Sequence, residues 1–536
     1  MCAGDGIERQ TLSCPRRSGA PLEGLHPRFG LQLHVHALWG SSNRTAPRSG
    51  GHGTTPREST DRATQRARTT RLRLSTSGLP DGLPIPRRYL AILAVSFGTG
   101  LAVLDGSIVT VALPTMARDL QVESSTSVLV VTIYQLTLVM TLLPLSALGS
   151  HLGLRRIYQY GQLIFLLSTG LCFFARSMPF LLVVRTIQAL GAGAALSVSS
   201  ALIRSIYPSR QLGLGLGISG VVVSVAGVIA PTLGGLVLAV ARWPWIFVAA
   251  CPFALVSLLI GRRALPDPIA RDEPFDVLGA VLCAATFGLV ISGLESLVHG
   301  DSPVIACFIS LLGAVLAVVF VRRELESKHP ILPVDLLMRP IIGLSAIGGL
   351  LAFMGSTTMI FSIPFRMQQQ FGWQPVEVGA VIAPWPAAMA FAGFVAGMLS
   401  DRFPAGILGG IGMIVAVIGM LLLAFLPAHP THLMMIWRMA LCGCGYGLFL
   451  SPNSRLIIHA ASHERAASAG GLVGTTRLTG QTLGATLLAA LLSAGIGRGP
   501  APAIAAASLA LTAGICSIAR LRASTHVPGR PNVQEI

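Results

Sequence analysis

The chain has 536 residues, of which 52% are hydrophobic and only 11% charged, whereas soluble domains carry about a quarter charged residues. This composition excludes a soluble enzyme or a nucleic-acid-binding domain as the main body of the chain and predicts an all-α polytopic membrane protein. We attribute the net charge of +17 mainly to loops beside a membrane.

The first 86 residues differ in composition from the rest of the chain. They are rich in Arg, Ser, Thr, Gly and Pro without apolar periodicity, so we expect a disordered basic tail. The tail resembles a transit peptide in being Arg-rich and acid-poor, but it lacks an amphipathic stripe. The alternative is that translation begins near Leu83 and that the tail is not made.

Fourteen apolar segments follow, each of about the length that crosses a hydrocarbon core of ~30 Å. They lie near 89–112, 127–149, 157–175, 180–202, 213–237, 244–263, 276–297, 303–321, 341–363, 377–399, 405–427, 433–453, 468–491 and 501–521.

The distribution of basic residues tests this number of segments. If both termini are cytoplasmic, the inside loops and flanks carry 19 Lys and Arg residues, and the outside loops carry five arginines. These five are Arg118, Arg176, Arg242, Arg366 and Arg498. Such an asymmetry follows the positive-inside rule. We therefore expect a multi-pass protein of a bacterial inner membrane with both termini in the cytoplasm.

Four charged residues lie within the apolar segments and away from their ends: Asp105, Arg185, Arg438 and Arg477. Glu295 lies close to the outer end of the seventh segment, so we expect it at the membrane interface, with a functional role as the alternative. A charge within a span costs several kcal/mol unless it faces a polar cavity or a partner, so each one suggests a function. Simpler interpretations remain open. Asp105 could be a tolerated polar residue, Arg185 could reach the headgroups, and Arg477 could bind nearby carbonyl groups.

An internal repeat divides the chain into two halves. Arg185 precedes a glycine-rich run in the fourth segment, and Arg438 precedes a second one in the twelfth, 253 positions later. We predict an N-terminal six-helix half at 87–263, two extra helices at 264–325, a C-terminal six-helix half at 326–521 and a cytoplasmic tail at 522–536. Repeated halves are typical of transporters, with the substrate path between them.

Several motifs resemble the fourteen-helix drug:proton antiporter branch of the major facilitator superfamily. The first segment contains Leu-Asp-Gly-Ser-Ile-Val-Thr-Val-Ala-Leu-Pro at 104–114, with Thr110 where that branch usually has Asn. The fourth contains Arg-Thr-Ile-Gln-Ala-Leu-Gly-Ala-Gly at 185–193. The fifth contains Ala-Pro-Thr-Leu-Gly-Gly at 230–235, and the seventh begins Phe-Asp-x-x-Gly at 275–279. The resemblance covers Arg87 to Leu521 and implies the major facilitator fold.

The loop after the second segment departs from the family motif. Ser150 and His151 stand where Asp-Arg is usual, while Gly153, Arg155 and Arg156 are kept. The family's aspartate is thought to help latch the outward-open state, and Ser150 cannot supply that charge. The second copy, Asp401-Arg402, is intact and could carry the latch alone.

The topology places Asp105 and Arg185 at similar depth below the outer surface. If the first and fourth helices are neighbours, as the resemblance implies, the two side chains can meet. A nearby guanidinium and burial act in opposite directions on the proton affinity of a carboxylate, so a change of conformation could change it. We predict that Asp105 carries the proton, that Arg185 modulates it and that Gln188 is a hydrogen-bonding neighbour. Candidates for the substrate cavity are Arg477, Arg438 and Tyr134.

The fifth segment combines Gly227, Pro231, Gly234 and Gly235. A proline removes one backbone hydrogen bond, and small residues let helices approach closely. We interpret this motif as a packing hinge that limits leak between the halves, with plain close packing as the alternative.

The function expected from these features is secondary active export of lipophilic drugs or metabolites in exchange for protons, as in antibiotic-resistance efflux. No phosphate-binding Gly-x-x-x-x-Gly-Lys-Ser/Thr motif supports ATP-driven transport. We expect no cofactor, no metal, no enzymatic activity and no nucleic-acid partner; the partners are a small lipophilic substrate, protons and the bilayer, and the protein is expected to be a monomer. Sparse cavity charge favours neutral or singly charged substrates over dications. Alternatives are a metabolite symporter or uniporter, and a transport-inactive sensor or scaffold.

Overall fold

The computed structural model describes residues 82–267, 276–298, 302–327, 330–461 and 465–524. Most of the predicted tail therefore lies outside the described residues. Its last five positions were predicted wrongly, because residues 82–86 are ordered against the helical bundle. The backbone N–H of Leu83 donates to the carbonyl of Ile206 at 2.9 Å.

The first half of the chain forms six long helices, and two more follow them. Their bounds are α1 Arg87–Asp119, α2 Ser124–Leu152, α3 Leu154–Cys172, α4 Met178–Ile206, α5 Leu212–Val240, α6 Trp245–Ala264, α7 Val277–Val298 and α8 Pro303–Glu326. A break at Ala249 and Ala250 divides α6 into a short first turn and a longer helix.

The second half forms another six long helices. Their bounds are α9 Pro340–Gln370, α10 Pro375–Leu399, α11 Ala405–Ala424, α12 His432–Ala460, α13 Ala466–Ser493 and α14 Ala501–Ser524. The last turn of α9, Arg366–Gln370, is a π-helix. The described residues thus contain a helix at each of the fourteen predicted segments, and α14 extends three residues past the predicted boundary at Leu521.

Length and composition qualify twelve of these described helices as membrane spans. The two others are α3, which has Arg155 and Arg156 in its first turn, and α13, which contains Arg477 and several threonines and glycines. The prediction of fourteen spans therefore stays a prediction, whereas an all-helical protein with many spans is confirmed.

The two halves repeat one another closely. Helices α4 and α12 start at 178 and 432, and α5 and α13 start at 212 and 466, so both pairs are offset by 254 positions. The two largest hydrophobic cores each consist mainly of residues from one half, but each includes residues of the other half, such as Phe361 in the first core and Val111 in the second. Helices α7 and α8 pack on each other, and α7 also packs against α2 and α13, one helix from each half.

The halves meet at the end of the bundle where α1 joins α2, which we call the Ser124 end. Here Gln368 Nε2 donates to the Val111 carbonyl at 3.0 Å, and Gln369 Nε2 donates to Ser124 Oγ at 3.2 Å. Arg366 was predicted to lie in a loop at this end, but this prediction was wrong. Its guanidinium is buried and donates to two carbonyl groups at the end of α11, at 2.7 and 3.1 Å.

Candidate functional site: a buried ion pair beside a central cavity

The structure places Asp105 of α1 and Arg185 of α4 in direct contact. Arg185 Nη1 lies 2.7 Å from Asp105 Oδ2, and both side chains are fully buried. The Nε of Arg185 also donates to the Val130 carbonyl of α2 at 3.3 Å. Three helices of the first half therefore meet at one ion pair. The attraction between the two charges offsets part of the cost of burying them.

Gln188 completes this cluster. It lies one turn after Arg185, so its side chain projects from the same face of α4. Its Nε2 donates to Asp105 Oδ1 at 3.1 Å and is 2.7 Å from Thr169 Oγ1, and its Oε1 accepts from Arg185 Nη1 at 2.6 Å. Gln188 thereby holds the second carboxylate oxygen while the arginine holds the first.

Close contact of α3 and α4 brings Thr169 to this cluster. Gly191 faces α3 at a point where a Cβ atom would lie 2.6 Å from the Phe165 backbone nitrogen. Only glycine fits there, because any side chain at this position would push the two helices apart. The glycine-rich run that follows Arg185 in the sequence thus has a local structural reason.

Two aromatic rings surround the guanidinium of Arg185. Its Cζ lies 4.3 Å from the centroid of the Tyr134 ring and 5.4 Å from that of Phe247. Such contacts stabilise a cation that has left water. Tyr134 is buried, and no described group pairs with its hydroxyl.

A central cavity of about 380 Å³ lies between the two halves. Gly106, Tyr134 and Arg477 are among the residues that line it. Asp105 is not one of them, although its chain neighbour Gly106 is, so the ion pair sits directly behind the cavity wall. The tyrosine that lines the cavity on one side contacts Arg185 on the other.

The cavity is mainly apolar and aromatic, with a few polar groups. Its aromatic residues are Tyr134, Phe353, Phe361 and Trp385, and its polar residues include Ser107, Thr110, Gln135, Ser224, Ser356, Thr357, Arg477 and Gln481. This combination of an apolar wall and few polar groups is typical of sites for small organic ligands.

The three candidates for the substrate cavity fall into two groups. Tyr134 and Arg477 line the central cavity, and their contact with substrate stays a prediction. The placement of Arg438 was predicted wrongly, since it is not among the lining residues. Its guanidinium donates to the Leu422 carbonyl of α11 and lies 5.4 Å from the centroid of the Trp437 ring.

The loop after α2 contains the altered family motif. Gly153 has φ of +99°, a conformation that favours glycine. Ser150 Oγ donates to the Ala147 carbonyl of its own helix at 2.7 Å, and Arg155 donates to the Arg262 carbonyl at the end of α6. Arg156 is exposed. A latching role of these residues stays a prediction.

The second copy of this motif follows α10. Asp401 Oδ1 lies 2.7 Å from Arg455 Nη2 of α12, and both side chains are well exposed. Arg402 is also exposed. This ion pair lies within the second half, so in the conformation described here the aspartate binds a partner from its own half.

The motif of α5 lies where the two halves touch. A Cβ atom on Gly235 would lie 2.7 Å from the Pro375 carbonyl oxygen of α10, and one on Gly379 of α10 would lie 2.3 Å from the Pro231 carbonyl oxygen. Gly234 packs against Ile108 of α1 within the first half, whereas Gly227 has more space around it. The close approach of α5 and α10 is thus a fact of the structure; a hinge role remains a prediction.

A sequence profile described as Major Facilitator Superfamily matches residues 95–485 and 345–535. The chain belongs to this superfamily. It is 42% identical over 415 residues to the "Uncharacterized transporter YebQ" of Escherichia coli K12, a match that covers 77% of this chain and 91% of YebQ.

More distant relatives in the superfamily have names that state a substrate or a phenotype. The "Riboflavin transporter RibZ" of Clostridioides difficile is 25% identical, covering 74% of this chain and 87% of RibZ. The "Multidrug resistance protein Stp" of Mycobacterium tuberculosis is 28% identical, covering 76% of each chain.

Among solved structures, a POT family transporter in complex with 5-aminolevulinic acid matches with a TM-score of 0.63 at 15% identity, covering 84% of this chain and 99% of that one. This likeness supports the fold alone. Together the comparisons show that this superfamily member is a multi-pass membrane transporter and not an enzyme.

Sequence reasoning missed a second buried polar cluster in this transporter. Arg520 of α14 is 3% exposed and contacts Asn453 of α12 and, at 3.1 Å, Ser345 Oγ of α9. Arg520 is one of the 19 Lys and Arg residues that the predicted topology places in the inside loops and flanks, because it lies near the end of a segment. The asparagine in an apolar helix was the available signal.

Glu295 of α7 was also judged wrongly from the sequence. We expected it at the membrane interface, but it is 9% exposed and accepts a hydrogen bond from Thr486 Oγ1 of α13. The contact connects the extra helix pair to the second half.

Proposed function

We propose that this protein is a proton-driven exporter of small lipophilic compounds, of the drug:proton antiporter branch, in a bacterial inner membrane with both termini cytoplasmic. The observation that carries the proposal is the buried Asp105–Arg185 pair directly behind the wall of a cavity between two repeated halves. A carboxylate in this position is close enough to respond when the cavity changes shape.

The mechanism follows from the contacts of Asp105. In the conformation described here its carboxylate is paired with Arg185 and Gln188, an arrangement that stabilises the charged form. Movement of α1 relative to α4 would lengthen these contacts and leave a buried carboxylate without a partner. Protonation then removes the charge, since an unpaired charge in an apolar site is costly. Pairing and unpairing would thus release and take up one proton per cycle.

The contacts between the halves support an alternating-access cycle. The glycine contacts of α5 with α10 and the hydrogen bonds of Gln368 and Gln369 join the halves at the Ser124 end. In the proposed orientation this is the outer end, so the structure corresponds to a state closed to the outside. Separation of these contacts would open the cavity outward, with the loops after α2 and α10 affecting the balance between states.

A second candidate is a symporter or uniporter for a metabolite, which the named riboflavin transporter among the relatives supports. A transport-inactive sensor or scaffold is the third. Inside-out vesicles with an acidic interior distinguish them. Antiport predicts release of luminal protons when substrate is added outside. Symport predicts that protons and substrate move in the same direction, and a sensor gives no movement of either.

A further inference from the structure

We propose that the cavity binds organic anions, with an aromatic body against its apolar wall and the negative group against Arg477. This inference rests on the proposed export function, because it names the class of compound that the same cavity takes. It goes further than the expectation of neutral or singly charged substrates, since it assigns both the sign of the charge and the residue that recognises it.

The first observation is that Arg477 faces the cavity without a partner. It lines the cavity, and the structure gives it no hydrogen bond or ion pair with any described residue. Its Nε is buried and unpaired. This excludes the alternative that it binds nearby carbonyl groups in the described conformation. An unpaired guanidinium in an apolar site is unfavourable, and a ligand with a negative group would relieve that cost.

The second observation is the absence of an opposing charge. Among the described residues that line the cavity there is no Asp or Glu. The nearest candidate in sequence, Asp105, is fully buried behind the wall and already paired with Arg185. A cationic ligand would therefore meet an unpaired cation and no carboxylate, which disfavours its binding.

The third observation is that the cavity wall offers further unpaired hydrogen-bond donors. Trp385 is 1% exposed and lines the cavity, and its indole Nε1 has no partner among the described residues. The Tyr134 hydroxyl is likewise unpaired. Indole nitrogen donates only, and a tyrosine hydroxyl can donate. Both groups suit a ligand that brings acceptor oxygens.

Gln481 places a further polar group next to the arginine. It follows Arg477 by four residues on α13, so both project from one helix face, and both line the cavity. The aromatic residues Phe353 and Phe361 of α9 contribute to the wall. The cavity thus combines a polar patch on α13 with an aromatic surface, which suits an amphiphilic anion.

The test measures binding of matched probes to the purified protein in lipid nanodiscs at pH 7.5, by isothermal titration calorimetry. The probes are naphthalene acetate, its uncharged isostere naphthalene acetamide and the cation naphthylethylammonium. One charge-assisted contact predicts that the wild type binds the acetate about tenfold more tightly than the acetamide. The cation should bind more weakly than either.

Variants test whether Arg477 causes the preference for the acetate over the acetamide. Arg477→Gln should bind the acetate and the acetamide equally, while Arg477→Lys should keep part of the preference. Arg438→Gln is the matched control, because it removes an intramembrane arginine that does not line the cavity. If Arg477→Gln does not fold, Gln481→Glu provides the second test. It should weaken the acetate and strengthen the ammonium probe.

Equal affinity of the wild type for acetate and acetamide overturns the inference, as does an Arg477→Gln variant that keeps the tenfold difference. Because binding is measured without a gradient, the result is independent of proton coupling. If the anion preference is found but substrate releases no protons from vesicles, the export proposal fails while the assignment of the cavity stands.

Discussion

Replacing Asp105 with asparagine removes the proposed proton carrier with the smallest change of shape. At the 2.7 Å separation of Arg185 Nη1 and Asp105 Oδ2, the attraction between two unit charges is about 6 kcal/mol at an effective dielectric constant of about 20. Loss of one partner from a buried pair typically costs about 3–5 kcal/mol, because the other charge stays buried. The amide oxygen still accepts from Arg185, so we expect the lower end of that range.

The effect on transport should exceed the effect on stability. An amide does not titrate, so gradient-driven efflux from Asp105→Asn vesicles should fall to the level of vesicles without the protein. Asp105→Glu keeps the titratable group and should retain part of the activity. Asp119→Asn is the matched control, because Asp119 lies exposed at the end of the same helix; its efflux should equal that of the wild type.

A double variant separates coupling from folding. Asp105→Asn combined with Arg185→Gln removes both charges, so the melting temperature should recover part of what the single variant loses. Efflux should remain absent, because no titratable group has been restored. Undiminished gradient-driven efflux in the single variant would refute the proposed role of Asp105, whatever its stability.

Two further predictions concern the contacts that hold the fold. Gly379→Ala places a Cβ where it would lie 2.3 Å from a backbone oxygen of α5. Since overpacking costs about 1–3 kcal/mol, the state closed at the Ser124 end should lose population, and a cysteine introduced into the cavity should be labelled faster from that side. The control is Gly220→Ala on α5, which has open space around it and should not change the labelling rate. The hydrogen bond from Arg465 lowers the pKa of Asp335. The stability from this pair is therefore present at neutral pH and is lost as the pH falls through the lowered pKa. Asp335→Asn should lower the melting temperature at pH 7, by the equivalent of about 0.5 kcal/mol for a partly exposed pair. The same variant should abolish this pH dependence of the melting temperature.

The sequence predicted the helices well because a membrane imposes a simple physical constraint. A span must be long and apolar and is usually flanked by charged residues, and both features can be identified from the linear sequence. The contact of Asp105 with Arg185 could also be anticipated, because two charges at similar depth in adjacent helices have a strong reason to pair. Arg438 was instead predicted to line the substrate cavity, and its partner, a backbone carbonyl, was not anticipated. Backbone acceptors exist everywhere and leave no pattern in the sequence.

The residues that sequence analysis missed have a common property. Arg520 and Arg366 lie near helix ends, where loop arginines are expected, yet both are buried and bind groups on other helices. Glu295 likewise lies near a segment end but contacts Thr486. Burial at a helix end depends on which neighbour covers it, and this information exists only in the packed structure.

Separate sites for the proton and the anion also determine how strongly the membrane potential drives export. Asp105 would carry the proton behind the cavity wall, and Arg477 would carry the anion within the cavity. Exchange of one entering proton for one leaving anion moves two unit charges in the same electrical sense. Each charge contributes about 2.3 kcal/mol per 100 mV, so the membrane potential alone should drive export of naphthalene acetate without a pH gradient. The acetamide, which moves one charge per cycle, should show half this voltage dependence. Equal dependence for the two probes, measured with potassium and valinomycin in proteoliposomes, would contradict the assignment of separate proton and anion sites.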